Sequence, residues 1–146
     1  MRRRFILLLI CFIPLPLAAQ PESAPKEREK LVGTWTGFAV DGKGEKPDQG
    51  PVKLELVITK NLIKAKQFKG KEIVDLGEGT FVIERDKSPN ILDATKKLDN
   101  PNRKETWVGI YQLDGDTLKW CVGRKMRPTE FATGQGAFLV VLKRQK

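Results

Sequence analysis

The sequence predicts an all-β protein: one antiparallel up-and-down barrel of about eight strands, preceded by a signal peptide. Apolar residues recur with period two from Leu31 onward, and no helical stripe exceeds about a turn or two. Glycine-bearing turn signals follow one another at spacings of about ten residues. A chain of 146 residues has room for a single domain, and 40% apolar with 31% charged residues is the composition of a folded globular protein.

The amino terminus reads as an address. Arg2, Arg3 and Arg4 form a positive n-region, and an apolar run from Phe5 to Ile13 follows. Pro14 and Pro16 stop that run well short of the ~20 residues that span a bilayer. Leu17-Ala18-Ala19 then offers a small residue to a signal peptidase, which assigns residues 1–19 to a signal peptide and makes Gln20 the mature start. Cys11 follows Leu-Leu-Ile rather than the small residues of a lipoprotein signal. The expected location is therefore exported, periplasmic or extracellular. Residues 20–30 are mostly polar, carry Pro21 and Pro25, and read as a flexible leader; residues 31–146 form the barrel domain.

The strands follow in order. Leu31–Val40 opens the sheet, and Val52, Leu54 and Leu56 alternate with Lys53 and Glu55 as a half-buried strand does. Asn61–Phe68, Ile73–Leu76, Thr80–Arg85, Asn90–Thr95, Glu105–Leu113, Thr117–Val122 and Ala137–Lys143 complete the set. Turn signals lie between them at Asp41-Gly42, Lys69-Gly70, Gly77 to Gly79, Asp114-Gly115 and Gly134 to Gly136. Closure into a barrel removes the exposed edges that such a meander would otherwise carry.

One hairpin is predicted at residue level. Asp114-Gly115 has the composition of a two-residue loop, which sets Tyr111 opposite Leu118, Gly109 opposite Trp120 and Trp107 opposite Val122. These residues share one face, and a glycine facing an indole lets the ring lie across the neighbouring strand. The Trp107, Tyr111 and Trp120 face is the core side, with those three aromatics as candidate lining of a ligand site. The other face, pairing Ile110 with Lys119 and Val108 with Cys121, is less apolar.

Catalytic chemistry has little to work with. No histidine is present, which removes His-based triads, His-ligated metals and the usual proton shuttle. Ser23 and Ser88 lie in no nucleophile elbow. Once the signal is removed Cys121 is the one cysteine, so no intramolecular disulfide forms, and it reads as a strand residue. Asp93, Glu105, Asp116 and Glu130 are the carboxylates from which an acid–base pair could be drawn. The acids and glycines of Asp41–Glu45 and Asp114–Asp116 are better explained as turns than as calcium loops. Arg127-Pro128-Thr129-Glu130-Phe131 either caps one barrel end, the preferred expectation, or forms a partner surface. No catalytic, cofactor or metal residue is assigned, and a non-enzyme is expected.

The charge points outward. Loss of three arginines with the signal lowers the formal charge from +9 to +6. A basic exported protein can associate weakly with anionic surfaces, whereas no clustered basic helix or base-stacking motif supports nucleic-acid binding.

Leu31-Val32-Gly33-Thr34-Trp35 is similar to the Gly-x-Trp signature of lipocalin-like barrels. It is followed by Gly79-Thr80-Phe81, Ser88 to Asp93, Gly109-Ile110-Tyr111, Asp114 to Cys121, Arg127 to Phe131 and Leu142-Lys143-Arg144. The ordered series resembles an uncharacterised family of small exported lipocalin-like domains abundant in planctomycete-type bacteria. The resemblance implies an antiparallel barrel and brings no activity, substrate or catalytic residue. It also implies a closed end built from Gly33 and Trp35, with Arg144, rather than Lys143, covering the indole.

Two readings follow. The barrel interior binds a small apolar ligand or lipid fragment, or a filled barrel serves as an envelope structural or interaction module through its exterior. The volume of the interior separates them.

Overall fold

Residues 24–40, 47–100, 102–134 and 136–146 are described by the computed structural model. The expected signal peptide, Cys11, Ser23 and the Asp41–Glu45 loop lie outside the described residues. Among the described residues eight strands succeed one another around a closed ring. They are β1 (Gly33–Val40), β2 (Val52–Ile58), β3 (Leu62–Lys69), β4 (Glu72–Glu84), β5 (Asn90–Lys97), β6 (Lys104–Asp114), β7 (Thr117–Gly123) and β8 (Ala137–Arg144). Each is antiparallel to its neighbours, and β1 closes the ring against β8 by pairing Trp35 with Arg144 through to Val40 with Leu139. The antiparallel barrel is the predicted one.

Alternation turns one apolar face of the strands inward. Trp35, Leu54, Leu56, Ile58, Ile63, Phe81, Ile83, Leu92, Tyr111, Leu118, Trp120, Val122, Val140 and Leu142 form one buried cluster. A second cluster lies on the outer face of the wall, where Val40, Ile110, Cys121, Leu139 and Val141 pack with Phe38, Phe131 and Ala137. This corrects the sequence reading at two points. The Ile110 and Cys121 face is buried as well, because the segment after β7 folds back across it. Arg127–Phe131 belongs to that outer cover and caps no barrel end: Phe131 joins the outer cluster, and Cys121 donates its thiol to the Ala132 carbonyl.

Three local expectations also change. Ile73–Leu76 and Thr80–Arg85 belong largely to one strand, β4, and Gly77 to Gly79 is no turn. The β3–β4 register slips between Ala65 and Lys66, where Gly77 takes a φ of +89°, so the glycine serves a bulge inside a strand. The end of the leader is helical: α1 spans Ala24–Leu31 and buries Glu27 and Leu31. Pro25 near its start and the Glu27–Lys30 pair suit a helix, but eight residues form one only with tertiary support. That support comes from the barrel, which holds both its middle and its carboxyl end.

The β6–β7 hairpin is displaced by two residues. Its loop is Gly115-Asp116, so Leu113 faces Leu118, Tyr111 faces Trp120 and Gly109 faces Val122. Asp116 has other partners: its carbonyl accepts from the Arg144 backbone N–H at 2.9 Å and its carboxylate from Arg144 Nε at 3.2 Å. A two-residue shift keeps every side chain on its predicted face.

Candidate functional site

The two ends of the barrel differ in chemistry. At one end the chain enters through α1, and hydrogen bonds from Trp35, Arg144 and Tyr111 fasten the helix to the barrel. Trp35 is buried and donates its indole N–H to the Leu31 carbonyl at 2.8 Å. Arg144 lies over the Trp35 ring, 4.2 Å from its centroid, while its Nη1 donates to the Val32 carbonyl at 2.6 Å and its Nη2 to the Lys30 carbonyl. One guanidinium thus covers an indole and caps a helix whose last carbonyls would otherwise lack partners. Gly33 makes room: a Cβ there would sit 2.7 Å from Arg144 Nη1. Gly33, Trp35 and Arg144 therefore meet, and Lys143 is exposed instead.

Helix α1 is fastened from inside as well. Tyr111 directs its hydroxyl to Glu27 Oε1 at 3.4 Å, and Arg85 and Lys30 lie 3.6 and 3.7 Å from the same carboxylate. Burial raises the Tyr111 pKa, the Glu27 charge raises it further, and Arg85 works against both. Arg28 donates to the Phe81 and Lys60 carbonyls and rests on the Phe81 ring at 4.4 Å.

The opposite half of the barrel is hollow. A cavity of about 440 Å³ lies among Leu54, Leu56, Ile63, Val140 and the two indoles Trp107 and Trp120. Small residues leave the space open: β3, β4 and β5 contribute Ala65, Gly77, Gly79 and Ala94 to its wall, Ala94 directly beside its cross-strand partner Trp107. Trp107 and Trp120 thus line the cavity as expected. Tyr111 does not; it sits in the sealed half, spent on Glu27.

Trp120 is fixed by an opening in the sheet. Between Ile91–Ile110 and Ala94–Trp107 the β5–β6 ladder is interrupted, and side chains take over its bonds. The Trp120 indole N–H donates to the Leu92 carbonyl at 3.0 Å, and the Gly109 N–H donates to Asp93 Oδ1 at 3.0 Å. Arg127 grips both Asp93 oxygens and donates to the Gly109 carbonyl at 2.8 Å. A Cβ on Gly109 would lie 2.5 Å from Trp120 Nε1, so the glycine facing an indole is real but diagonal.

Charged groups ring the cavity mouth. Arg124 lies 4.5 Å from the Trp107 ring centre and 3.5 Å from Glu105. Lys96 extends over Gly77 and donates to the Leu76 carbonyl at 2.8 Å. Phe138 meets Trp107 edge to face at 5.6 Å.

The carboxylates named from sequence do not assemble. Asp93, Glu105 and Asp116 each lie beside a different arginine, Arg127, Arg124 and Arg144, while Glu130 lies in the outer cover. Among the described residues no three His, Cys, Asp or Glu side chains gather where they could hold a metal ion, and no helix is long and apolar enough to cross a membrane. Comparison with family models, curated proteins and solved structures finds no match to this chain.

Proposed function

We propose that this chain is an exported, non-catalytic binding protein that holds a small, mainly apolar molecule or lipid fragment in the open half of its barrel. The observation that carries the reading is the cavity of about 440 Å³ walled by aliphatic side chains and two indoles. That size and lining are those of sites that bury most of a small ligand's surface. The other reading, a filled barrel acting through its exterior, has the void against it. Membership of the small exported lipocalin-like domains remains part of the proposal, supported by the Trp35–Arg144 seal.

Titration with Nile red, a neutral apolar dye, tests the reading. One dye should bind per chain with a blue-shifted emission, and Ala94→Trp, which fills the void, should abolish it. Absence of binding, or binding indifferent to the filling substitution, would reject an interior site. N-terminal sequencing of protein recovered outside the cytoplasm should begin near Gln20; an intact Met1 would reject signal cleavage.

A further inference from the structure

We infer that the ligand carries a singly charged anionic head, and that Lys96 is the residue that receives it; this rests on the binding function proposed above. The argument is a comparison of the charges at the mouth. Three acids line it, and each is engaged. Glu105 is beside Arg124 at 3.5 Å, Glu78 beside Lys64 at 3.1 Å, and Asp75 accepts the Gly77 N–H at 2.7 Å. Arg124 is engaged too, by Glu105 and by the face of Trp107. Of these charged groups only Lys96 and Asp75 have no ion-pair partner among the described residues, and Asp75 is turned back onto the Gly77 N–H. The one bond of Lys96 is to the Leu76 carbonyl, and among the described residues no carboxylate lies within ion-pair distance of it.

Lys96 is also held in position. It projects inward from β5 with the same alternation that turns Leu92 and Ala94 to the interior. Its stem crosses β4 where Gly77 has no side chain; a Cβ there would come within 2.7 Å of both Cε and Nζ. The Gly77 bulge is in turn held by the Asp75 carboxylate. An ammonium has three N–H donors, and Leu76 takes one. Two remain for a carboxylate or another monoanionic head.

The sealed end sets the ligand's direction. With α1, Trp35 and Arg144 closing one end, an amphipathic molecule enters tail first and leaves its head at the level of Lys96. A cationic head is disfavoured, because Arg124 already covers the Trp107 face that would attract it.

The test compares decanoate, decanol and decylammonium by isothermal calorimetry with the full-length mature protein at neutral pH. Decanoate should bind at least tenfold more tightly than either of the others, with a preference that shrinks as salt is raised. In Lys96→Met, and in Lys96→Gln as a second variant should the first fail to fold, the decanoate-to-decanol ratio should fall to about one. Lys96→Arg should keep most of it. Decanol binding as tightly as decanoate, or a preference that survives loss of the ammonium, would overturn the head-group assignment while leaving the cavity reading intact. Failure of all three probes would reject both.

Discussion

Arg144 and Trp35 are direct neighbours across the β1–β8 seam, and the guanidinium that stacks on the indole also bonds the Lys30 and Val32 carbonyls at the end of α1. This pair closes the carboxyl end of the helix, while Tyr111, Arg85 and Phe81 hold its middle through Glu27 and Arg28.

Removing Trp35 should therefore cost about 3–5 kcal/mol, the range for emptying a large buried site. Arg144→Ala should cost about 2–3 kcal/mol through lost stacking and charge-assisted hydrogen bonds. Lysine should restore only part, since an ammonium cannot stack and bond two carbonyls together. In denaturant unfolding the double variant should lose less than the two single costs combined. Strict additivity would mean that the two side chains do not act on each other.

Tyr111 is the one tyrosine of the chain, so its ionisation can be followed without ambiguity by phenolate absorbance. Burial and the Glu27 charge hold its pKa above the ordinary value near 10. Above about pH 10 the unfolded chain releases this proton and the folded one retains it, so stability falls as pH rises, by up to about 1.4 kcal/mol per unit. Absorbance should stay phenolic until the protein unfolds. Tyr111→Phe should lack this component of the alkaline loss, and a phenolate signal near pH 10 in folded protein would contradict the buried Glu27 contact.

Gly109→Ala should destabilise by about 1–3 kcal/mol, the cost of overpacking, because the new methyl meets Trp120 Nε1 and the Cys121 and Leu92 carbonyls within 2.9 Å. Gly70 in the β3–β4 turn has a φ of +61° and open space around it. Gly70→Asn should cost less than about 1 kcal/mol, since asparagine tolerates that backbone. Equal unfolding midpoints for the two variants would count against the wedge at Gly109.

Asp93→Asn should loosen the outer cover, because Arg127 then loses its charged partner and the β5–β6 opening loses its filling. Trypsin cleavage after Lys125 should accelerate several-fold, and the Trp120 indole proton should exchange faster with solvent. Unchanged rates for both would show that the cover is held by Phe131 and its apolar neighbours alone.

Much of this was legible in the sequence, and the reasons are physical. Alternation fixes faces, so the interior role of Trp107, Trp120 and Val122 survived a hairpin loop placed wrongly. Register was not legible, because the choice between Asp114-Gly115 and Gly115-Asp116 depends on Arg144, distant in sequence and bonded to Asp116. Helix α1 was hidden for the same reason: its sequence is weakly helical, and its support lies in Tyr111, Arg85 and Arg144. The cavity left a trace in the small inward residues Ala65, Gly77, Gly79 and Ala94. Two of them carry a turn signal, since a glycine that serves a bulge and one that serves a loop look alike in a single sequence. Lys96 gave no signal, because inward and outward lysines are distinguished only by the phase of their strand.

The opening between β5 and β6 has a mechanical consequence for whatever occupies the cavity. Trp120 is both a wall of the void and a stitch in the sheet, since the ring that faces the cavity holds the Leu92 carbonyl through its N–H. Swinging that ring aside to accommodate a bulkier guest would undo a backbone bond already missing its usual donor. The wall on this side is therefore stiff, and it fixes the girth of the cavity. Adaptation falls to the rim, where Leu76 and Phe138 are exposed and can move without unpicking the seam.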